Sequence, residues 1–536
     1  MSEARSTVPE ALPVTAPASG DAFDPRWINW RVLLPSPGHG FSHLVLLGGP
    51  EGLETLITRL GIAERVSREL PTSDLADAVV VLADSSHAVS AHDVAASLRS
   101  GGWLYWEITR RNAVPPGLTA GRVRRALQRA GFSTTGQYWV RPPAGAGMDF
   151  VPLDVRGAVG WYLSAFSQPW LGALAARFPR WARRIVTAAA GRIGVTAVAR
   201  GGARTPPALL EPGPMSSRLG SEVLRPVVHF REHGRRTVVF PFTATGELPV
   251  AVLKFSPVRE RSYRTREEQE TLSKIRIRLD PAMRRTVPEP LGLVEWSGVT
   301  VGIESYVPGH SIERTASLPM VSFSKMAADL ELVTAWLCRF QLANSFGRPH
   351  WGGEDWSLEK WVEAPLRHLE REFALSPEVE SLFVATRRAA RKLVGSPLPL
   401  VLSNWSFSRG NVCRSAQGIA VYDWELVSRG LPLVDLTYFL IDWGRLVQKA
   451  SAASWRGTFR DLLIEPPGDR VSRAIDRSVS SYLAALAIDP RFRPLLGALT
   501  WIHRAERRAR KDGTVRRSLD PRLLAFAEMG TRRLDG

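Results

Sequence analysis

Apolar and polar positions follow one pattern in the first quarter of the chain and another in its second half. From Trp27 to about Arg141, apolar runs of strand length, such as HLVLL (43–47) and ADAVVVLAD (76–84), alternate with glycine turns and helical segments. Strand, glycine turn and helix in this order predict a doubly wound, Rossmann-like α/β domain, because helices cover both faces of a mostly parallel sheet. We place this domain at residues 27–150.

The second pattern is that of antiparallel strands followed by a helix. It begins after TPPALLEPGP (205–214), whose closely spaced prolines stop helices and disfavour strands. Three strand-like runs follow, EVLRPVVHFRE (222–232), TVVFPF (237–242) and ELPVAVLKF (247–255). They predict an antiparallel meander with Gly234 in its first turn. REEQETLSKI (266–275) then predicts a helix with several glutamates, so this part of the chain is of the α+β class.

A basic segment, residues 151–215, separates the two patterns. From Arg156 to Leu210 the chain has no Asp or Glu, and aromatic residues are interleaved with eight arginines. These arginines are Arg156, Arg177, Arg180, Arg183, Arg184, Arg192, Arg200 and Arg204. Two interpretations stay open. The segment is a connector whose apolar face packs between the domains, or a basic amphipathic element that binds an anionic membrane surface or a polyanion through residues 156–204.

Length, the N-terminus and the cysteines bound the class of protein. A chain of 536 residues is too long for one core, since domains commonly have about 100–200 residues. Residues 1–26 are rich in Pro, Ala, Ser and Thr without an apolar segment behind a basic one, so we expect a disordered tail and not a secretory signal. Cys338 and Cys413 are too few for a disulfide framework or a zinc site. We therefore expect a cytoplasmic protein.

The net charge of +18 predicts affinity for an anion, which could be a nucleotide, a phosphosugar, a nucleic acid or an acidic lipid. The chain lacks an RNA-binding aromatic motif and zinc-finger spacing, so nucleic acid is the least favoured of these partners. A late basic run, HRAERRARKDGTVRR (503–517), would repel polycations and so argues against a polycationic ligand at this place. The simple alternative for this run is a solvated, exposed helix face.

The first domain resembles class I S-adenosylmethionine methyltransferases in its order of elements. It also resembles them in a glycine pair before a late strand, in LRSGGWLYWEI (98–108), and in AGF (130–132) before the last hairpin. The resemblance implies a cofactor turn at GGPEG (48–52). Such a turn normally carries an acid at the strand end, whereas Leu47 precedes Gly48 here. We therefore interpret Gly48, Gly49 and Gly52 as turn formers and expect S-adenosylmethionine to bind weakly or not at all.

Three motifs in the second half follow each other in register: NWSFSRGN (404–411), YDWE (422–425) and GLPLVDL (430–436). They resemble H-G-D-x-x-x-x-N, apolar-D-W/F-E and G-x-P-x-x-D-L of the aminoglycoside phosphotransferase and choline kinase superfamily. Upstream, AVLK ends in Lys254, and ESYVPG (304–309) resembles the hinge of the superfamily. The resemblance covers about 320 residues. It implies a two-lobed, protein-kinase-like domain at 216–536, with an N-lobe at 216–310 and a C-lobe at 311–536.

The resemblance also implies a site for ATP and Mg²⁺. Lys254 would contact the phosphates and Glu268 would fix it, with Glu267 as the second choice for that carboxylate. The alternative for Lys254 is an exposed strand lysine. The backbone at Glu304, Ser305, Tyr306 and Val307 would bind adenine. Asn411 and Asp423 lie where the family has its two metal ligands, and Asp435 where an acid braces the loop.

The catalytic base is the departure from the family pattern. Ser406 stands where the catalytic Asp belongs, and Asn404 where the preceding His belongs. A serine hydroxyl, with a pKa far above neutrality, cannot accept a proton from an acceptor. Two hypotheses remain. The chain is a small-molecule kinase, a transferase acting on a sugar or glycan-precursor hydroxyl, in which metal and positioning supply catalysis, or it is a nucleotide-binding pseudokinase that acts as a regulator or scaffold.

Overall fold

One sheet joins the two halves of the chain. The computed structural model describes residues 25–34, 40–82, 89–109, 120–141, 149–166, 192–199, 224–231, 236–257, 259–313, 321–448, 459, 468–512 and 518–534. The strands of the sheet are β1 Phe41–Leu47, β2 Ala63–Ser67, β3 Ala76–Val81, β4 Leu98–Thr109, β5 Ser133–Arg141, β6 Asp149–Pro152, β7 Arg192–Val198, β8 Arg225–Arg231, β9 Arg236–Phe242, β10 Val252–Phe255, β11 Pro290–Trp296 and β12 Val299–Glu304. Their order across the sheet is β11-β12-β10-β9-β8-β6-β5-β7-β4-β3-β1-β2.

Four strands at the outer edge of the N-terminal part of this sheet are parallel. β1 pairs in parallel with β2 and β3, and β3 with β4, whereas β7 runs antiparallel between β4 and β5. Both faces of β1 are buried, because Val45 and Leu47 belong to one core cluster and Leu44 and Leu46 to another. Burial on both faces explains why the strand is apolar at nearly every position. The mixed α/β class is confirmed, and the doubly wound Rossmann-like domain stays a prediction.

Short helices accompany these strands. They are α1 Leu53–Arg59, α2 Ala91–Ser97 and α3 Ala120–Arg129. A 3-10 helix, Pro25–Leu33, precedes β1 and buries Ile28 and Trp30 in the core that also contains Leu44 and Leu46. The predicted tail, residues 1–26, lies outside the described residues except for its last two positions.

The predicted connector, residues 151–215, contributes directly to the sheet. Its described parts include helix α4, Ala158–Phe166, and strand β7, which lies in the middle of the N-terminal strands. Of the eight arginines, Arg156 and Arg192 fall in the described residues. The other six lie outside them, and so does most of the face that we expect to contact a membrane.

The antiparallel meander predicted after residue 215 is present as β8, β9 and β10, followed by β12 and β11. β8 continues the sheet of the first half, since Val228 lies opposite Phe150 of β6. One core cluster extends across this junction and contains Trp30 from the first half together with Leu253 and Ile303 from the second. Helices α5, Ser262–Arg278, and α6, Pro281–Arg284, complete this lobe.

The rest of the chain is mainly helical. Its helices are α7 Phe323–Ala343, α8 Ala364–Glu372, α9 Pro377–Lys392, α10 Val434–Val447, α11 Arg470–Ala485, α12 Phe492–Asp512 and α13 Pro521–Leu534, and its short strands are β13 His310–Ser311, β14 Val401–Ser403, β15 Val412–Ser415, β16 Gly418–Val421 and β17 Ser428–Gly430. Among the described residues, no helix has the length and apolar character needed to cross a bilayer. Cys338 and Cys413 are both free and buried.

A buried histidine connects α12 to a π-helical turn, Glu359–Glu363. His503 Nε2 lies 2.8 Å from the Trp361 carbonyl oxygen, and its ring packs beside Trp361 and Trp405. A carbonyl only accepts, so Nε2 carries the proton and donates it. Burial lowers the pKa of His503 to about 4, and the charges of Arg507 and Arg510 act in the same direction. His503 is therefore neutral in the folded protein at pH 6.

We predict that His503→Gln flattens the acid side of the stability profile. Below pH 6.5 this histidine is protonated in the unfolded chain, but in the folded chain it becomes protonated only near pH 4. The free energy of unfolding of the wild type therefore decreases as the pH falls from 6.5 to 4. The loss from this residue reaches about 3 kcal/mol at most. Urea unfolding at pH 7 and pH 5 measures it. Exposed His350 supplies the control, and an equal pH dependence in His350→Gln and His503→Gln would contradict the prediction.

Candidate active site

A buried ion-pair cluster forms around Lys254 on β10. Its Nζ lies 3.0 Å from Glu268 Oε1 of α5 and 2.8 Å from Glu304 Oε2 at the end of β12. Lys254 is 8% exposed, which excludes the interpretation as a surface lysine. Glu267, the second choice for the partner, is exposed, and so α5 presents Glu268 to the lysine, as its helical spacing predicts.

Two members of this cluster escaped the sequence analysis. Arg236 of β9 pairs with Glu268 and also lies 3.4 Å from Glu425. Glu304 was expected to contribute its backbone, yet its side chain is the second carboxylate on Lys254. Strand alternation could have found Arg236, because Val238 lies opposite Lys254 in the sheet and position 236 shares that face.

The two carboxylates differ in their electrostatics. Burial raises the pKa of Glu304 to about 7, with the charge of Glu268 adding to the effect and Lys254 opposing it. Burial also opposes ionisation of Glu268, but Lys254 and Arg236 together outweigh it and lower the pKa of Glu268 to about 2. Glu268 is thus the permanent anion of the cluster.

The loop that follows β14 is held by Asp435 at the start of α10. Its carboxylate accepts the backbone N–H groups of Asn404 at 2.8 Å and Trp405 at 2.9 Å. Trp405 has φ 59°, a left-handed conformation that a non-glycine residue keeps where its surroundings fix it. Asn404 replaces histidine without loosening the loop, because its amide accepts the Ser406 N–H at 3.0 Å and donates to the Asp423 carbonyl at 3.1 Å.

The residues at the two metal-ligand positions lie side by side. Asn411 Nδ2 is 3.3 Å from Asp423 Oδ2 and 2.9 Å from the Ser406 carbonyl oxygen. Next in the chain, the Trp424 N–H donates to Glu268 Oε1 at 3.3 Å, which ties this segment to the lysine cluster. Burial opposes the charge of Lys254, but Glu268, Glu304 and Asp423 more than offset it and raise the lysine pKa above its ordinary value.

The charges of this region suit a divalent cation. Among the described residues, the cations Lys254 and Arg236 face four carboxylates, those of Glu268, Glu304, Asp423 and Glu425. No group of three or more His, Cys, Asp or Glu side chains in the described residues forms a complete metal site. Mg²⁺ often uses one or two protein ligands and completes its shell with phosphate oxygens and water. Asn411 and Asp423 fit that mode of binding.

Ser406, at the position of the base, is turned inward. Its Oγ is buried and has no hydrogen-bond partner within the part of the chain that the structure describes. The neighbouring Asp435 is engaged by two backbone N–H groups, so it does not replace the missing base. As it stands, the loop presents no carboxylate from position 406 to an acceptor.

The late basic run is partly internal. Arg507 of α12 lies 3.8 Å above the Trp405 ring and donates to Ser428 Oγ at 2.9 Å, and burial lowers its pKa to about 10. Arg504 lies 4.1 Å above the Tyr438 ring. These two arginines pack on aromatic faces beside the loop instead of forming a solvated surface. Residues 513–517 of the run lie outside the described residues.

The glycine turn of the first half is filled from within. Gly48, Gly49 and Gly52 all have φ between 81° and 89°, as turn formers require. Arg68, directly after β2, donates to the carbonyls of Gly48 at 2.6 Å and Pro50 at 3.1 Å. The sequence analysis missed this arginine. Its guanidinium occupies the carbonyl side of the turn that the methyltransferase resemblance assigned to a cofactor.

Comparison with known proteins finds a family match in the C-terminal region. Residues 231–475 match the family model of the phosphotransferase enzyme family, which supports the predicted aminoglycoside phosphotransferase and choline kinase superfamily there. Residues 1–230 lie outside this match. A comparison with curated protein sequences finds no match.

Three solved structures illustrate the likeness. A glucosamine kinase in complex with glucosamine, ADP and inorganic phosphate is 15% identical, with a TM-score of 0.35 over 58% of this chain and 79% of that one. A putative fructosamine-3-kinase from Thermobifida fusca YX-ER1 is 15% identical, with a TM-score of 0.37 over 60% and 97%. A choline kinase from Cryptosporidium parvum Iowa II is 10% identical, with a TM-score of 0.30 over 53% and 84%.

We predict that S-adenosylmethionine does not bind the wild-type chain at millimolar concentration. The turn lacks an acid before Gly48, and Arg68 already satisfies the carbonyls of the turn. Isothermal calorimetry measures the binding, with Arg68→Ala as the matched variant. A micromolar dissociation constant in the wild type would make the N-terminal half a candidate methyltransferase.

Proposed function

We propose that the C-terminal half binds ATP together with Mg²⁺ and acts as a regulator or scaffold without rapid phosphate transfer. The observation that carries this proposal is the state of Ser406, whose hydroxyl oxygen is buried and has no hydrogen-bond partner among the described residues. A general base contributes roughly 10²–10⁴-fold to such reactions. Its loss leaves the binding functions of the fold in place while removing one part of the chemistry.

The phosphate end of the cleft supports nucleotide binding. Lys254, fixed by Glu268, would contact the phosphates, and Asn411 and Asp423 would hold Mg²⁺. The bound metal would supply neutralisation of the phosphate charge. Glu304 becomes easier to protonate near neutrality, so Lys254 can exchange one carboxylate for a phosphate oxygen without leaving Glu304 as a buried anion.

A second candidate is a slow phosphotransferase that acts on the hydroxyl of a sugar or glycan precursor. It is favoured by the Lys254–Glu268 pair, which is formed and buried, and by the family match over residues 231–475. Phosphoryl transfer passes through a loose transition state that asks little of a base, so positioning and metal could sustain a low rate. Arg504 and Arg507 beside the loop favour an anionic acceptor over a polycationic one.

Three further assignments remain proposals. The four parallel strands of the N-terminal sheet support a Rossmann-like, methyltransferase-like domain that has lost its cofactor. Two free, buried cysteines support a cytoplasmic location. An anionic membrane surface is the partner proposed for residues 156–204, on the basis of their arginines alone.

We predict that Mg²⁺ with a triphosphate stabilises the protein through Asp423. At 100 times its dissociation constant a ligand adds about 2.7 kcal/mol, which is visible as a rise in melting temperature. Differential scanning fluorimetry with ATP and with inorganic tripolyphosphate, each with and without Mg²⁺, measures it. Asp423→Ala should abolish the shift, and Asp476→Ala, an exposed aspartate on α11, should retain it. An equal shift in both variants would remove the proposed metal site.

We predict that the wild type turns over ATP no faster than Asp423→Ala, with or without a panel of sugars. Steady-state release of ADP measures the rate. For the slow kinase, Ser406→Asp combined with Asn404→His should raise a measurable wild-type rate by ~10²–10⁴-fold, because a carboxylate then reaches the acceptor. A wild-type rate well above that of Asp423→Ala would refute the scaffold and favour the kinase.

A further inference from the structure

The surface beside Lys254 that would cover a nucleobase can be identified from the strand register. Val238 of β9 lies opposite Lys254, so the side chains of Val238 and Phe240 lie on the same face of the sheet as the lysine. Val252, two residues before Lys254, shares this face. These apolar side chains lead from the phosphate-binding lysine toward the hinge that follows Glu304.

Helix α4 from the first half of the chain packs on the outer part of this face. The Trp161 ring centroid is 4.6 Å from that of Phe240 and 5.4 Å from that of Phe242. Phe166, at the end of α4, stacks on His229 with a centroid distance of 4.1 Å. Trp161 is 8% exposed, so this contact excludes solvent.

The same helix contacts both the hinge and the strand that follows it. Trp161 Nε1 donates a hydrogen bond of 2.9 Å to the hydroxyl of Tyr306, a hinge residue. Ser164 Oγ lies 3.3 Å from Nδ1 of His310, which follows the hinge in β13. Helix α4 therefore bridges the small lobe and the segment that leads into the large lobe, at the mouth of the cleft.

A second aromatic side chain reaches the hinge from the large lobe. Tyr422, directly before Asp423, donates its hydroxyl to the Val307 carbonyl at 3.0 Å. Its oxygen also lies 2.7 Å from Cys413 Sγ. Val307, Cys413 and Ala420 form a small buried apolar cluster on which Tyr422 packs. The ring thus lies between the metal-ligand position and the backbone of the hinge.

The side chain of Tyr422 could make the same contacts with the hinge as the adenine base of a nucleotide. Adenine is a flat aromatic ring whose amino group donates to a backbone carbonyl of the hinge, and Tyr422 offers a flat ring and a donor to that kind of carbonyl. The Val307 carbonyl is already satisfied, and the apolar cluster is already covered. A base entering here gains these contacts only by displacing Tyr422.

We propose that Tyr422 occupies the nucleobase position and that helix α4 closes the mouth of the cleft, so that nucleobase binding and docking of α4 exclude each other. The inference rests on the proposed function for the identity of the ligand. The phosphate and metal end of the cleft, at Lys254 and Asp423, keeps the charged groups that a triphosphate without a nucleobase would need. Since α4 follows β6 of the joined sheet, nucleotide binding is coupled to the first half of the chain, and this coupling acts equally in both directions.

Binding of three probes to the full-length chain separates the base from the phosphates. Adenosine tests the base position alone, inorganic tripolyphosphate with Mg²⁺ tests the phosphate end alone, and ATP with Mg²⁺ tests both. We compare the wild type with Tyr422→Ala combined with Trp161→Ala, and use Tyr263→Ala, an exposed tyrosine on α5, as the matched control. Calorimetry gives the dissociation constants.

We expect millimolar adenosine to bind the double variant but neither the wild type nor Tyr263→Ala. The double variant should bind ATP about 100-fold more tightly than the wild type does, because no closed state lowers its apparent affinity. Tripolyphosphate should bind equally to both proteins. Adenosine binding to the wild type, or its absence from the folded double variant, would overturn the closure. Loss of tripolyphosphate binding everywhere would instead count against the metal site, while the adenosine result still decides the closure.

Hydrogen exchange on the wild type covers the case in which the double variant does not fold. Saturating ATP with Mg²⁺ should speed exchange of the α4 amides Ala158–Phe166, because the base forces the helix off the hinge, whereas tripolyphosphate should not. Bound ATP with unchanged protection of α4 contradicts the proposal.

Discussion

Glu268 is the group on which the organisation of the cleft depends. Its carboxylate pairs with Lys254 and Arg236 and accepts the backbone N–H of Trp424, so three strands or loops converge on one side chain of α5. Leaving any of these charges buried without its partner would be strongly unfavourable, which fixes the small lobe against the segment that carries Asp423. The carboxylates of the cluster outnumber its cations, and this excess negative charge favours binding of a cation or of a ligand that carries one.

At two positions where the family resemblances imply a ligand, a side chain of the protein donates to the backbone carbonyls. Arg68 satisfies the carbonyls of the glycine turn in the first half, and Tyr422 satisfies the hinge carbonyl of Val307 in the second. In both places a side chain supplies a donor to a backbone acceptor. Such hydrogen bonds stabilise the fold in the absence of ligands, which is compatible with the proposed function as a regulator or scaffold.

The continuous sheet gives these two halves a mechanical connection. β6 and β8 join them at Phe150 and Val228, and a common core lies behind the junction. Helix α4 follows β6 in the chain, and its residue Trp161 contacts Tyr306. A conformational change near Tyr306 would therefore act directly on α4, which follows a strand of the first half.

Short-range spacing determined much of this protein from sequence. The alternation of strands, the partner Glu268 and the adjacency of Asn411 and Asp423 all follow from patterns within about twenty residues, where the period of a helix or a hairpin fixes geometry. The sequence also showed that Ser406 stands where the resembled superfamily has its catalytic Asp, because the motif around it is local. Tertiary structure alone placed Trp161 on Tyr306, 145 residues away, and brought Tyr422 to Val307. These contacts depend on how separate elements pack, and side-chain packing over such separations leaves no period in the sequence.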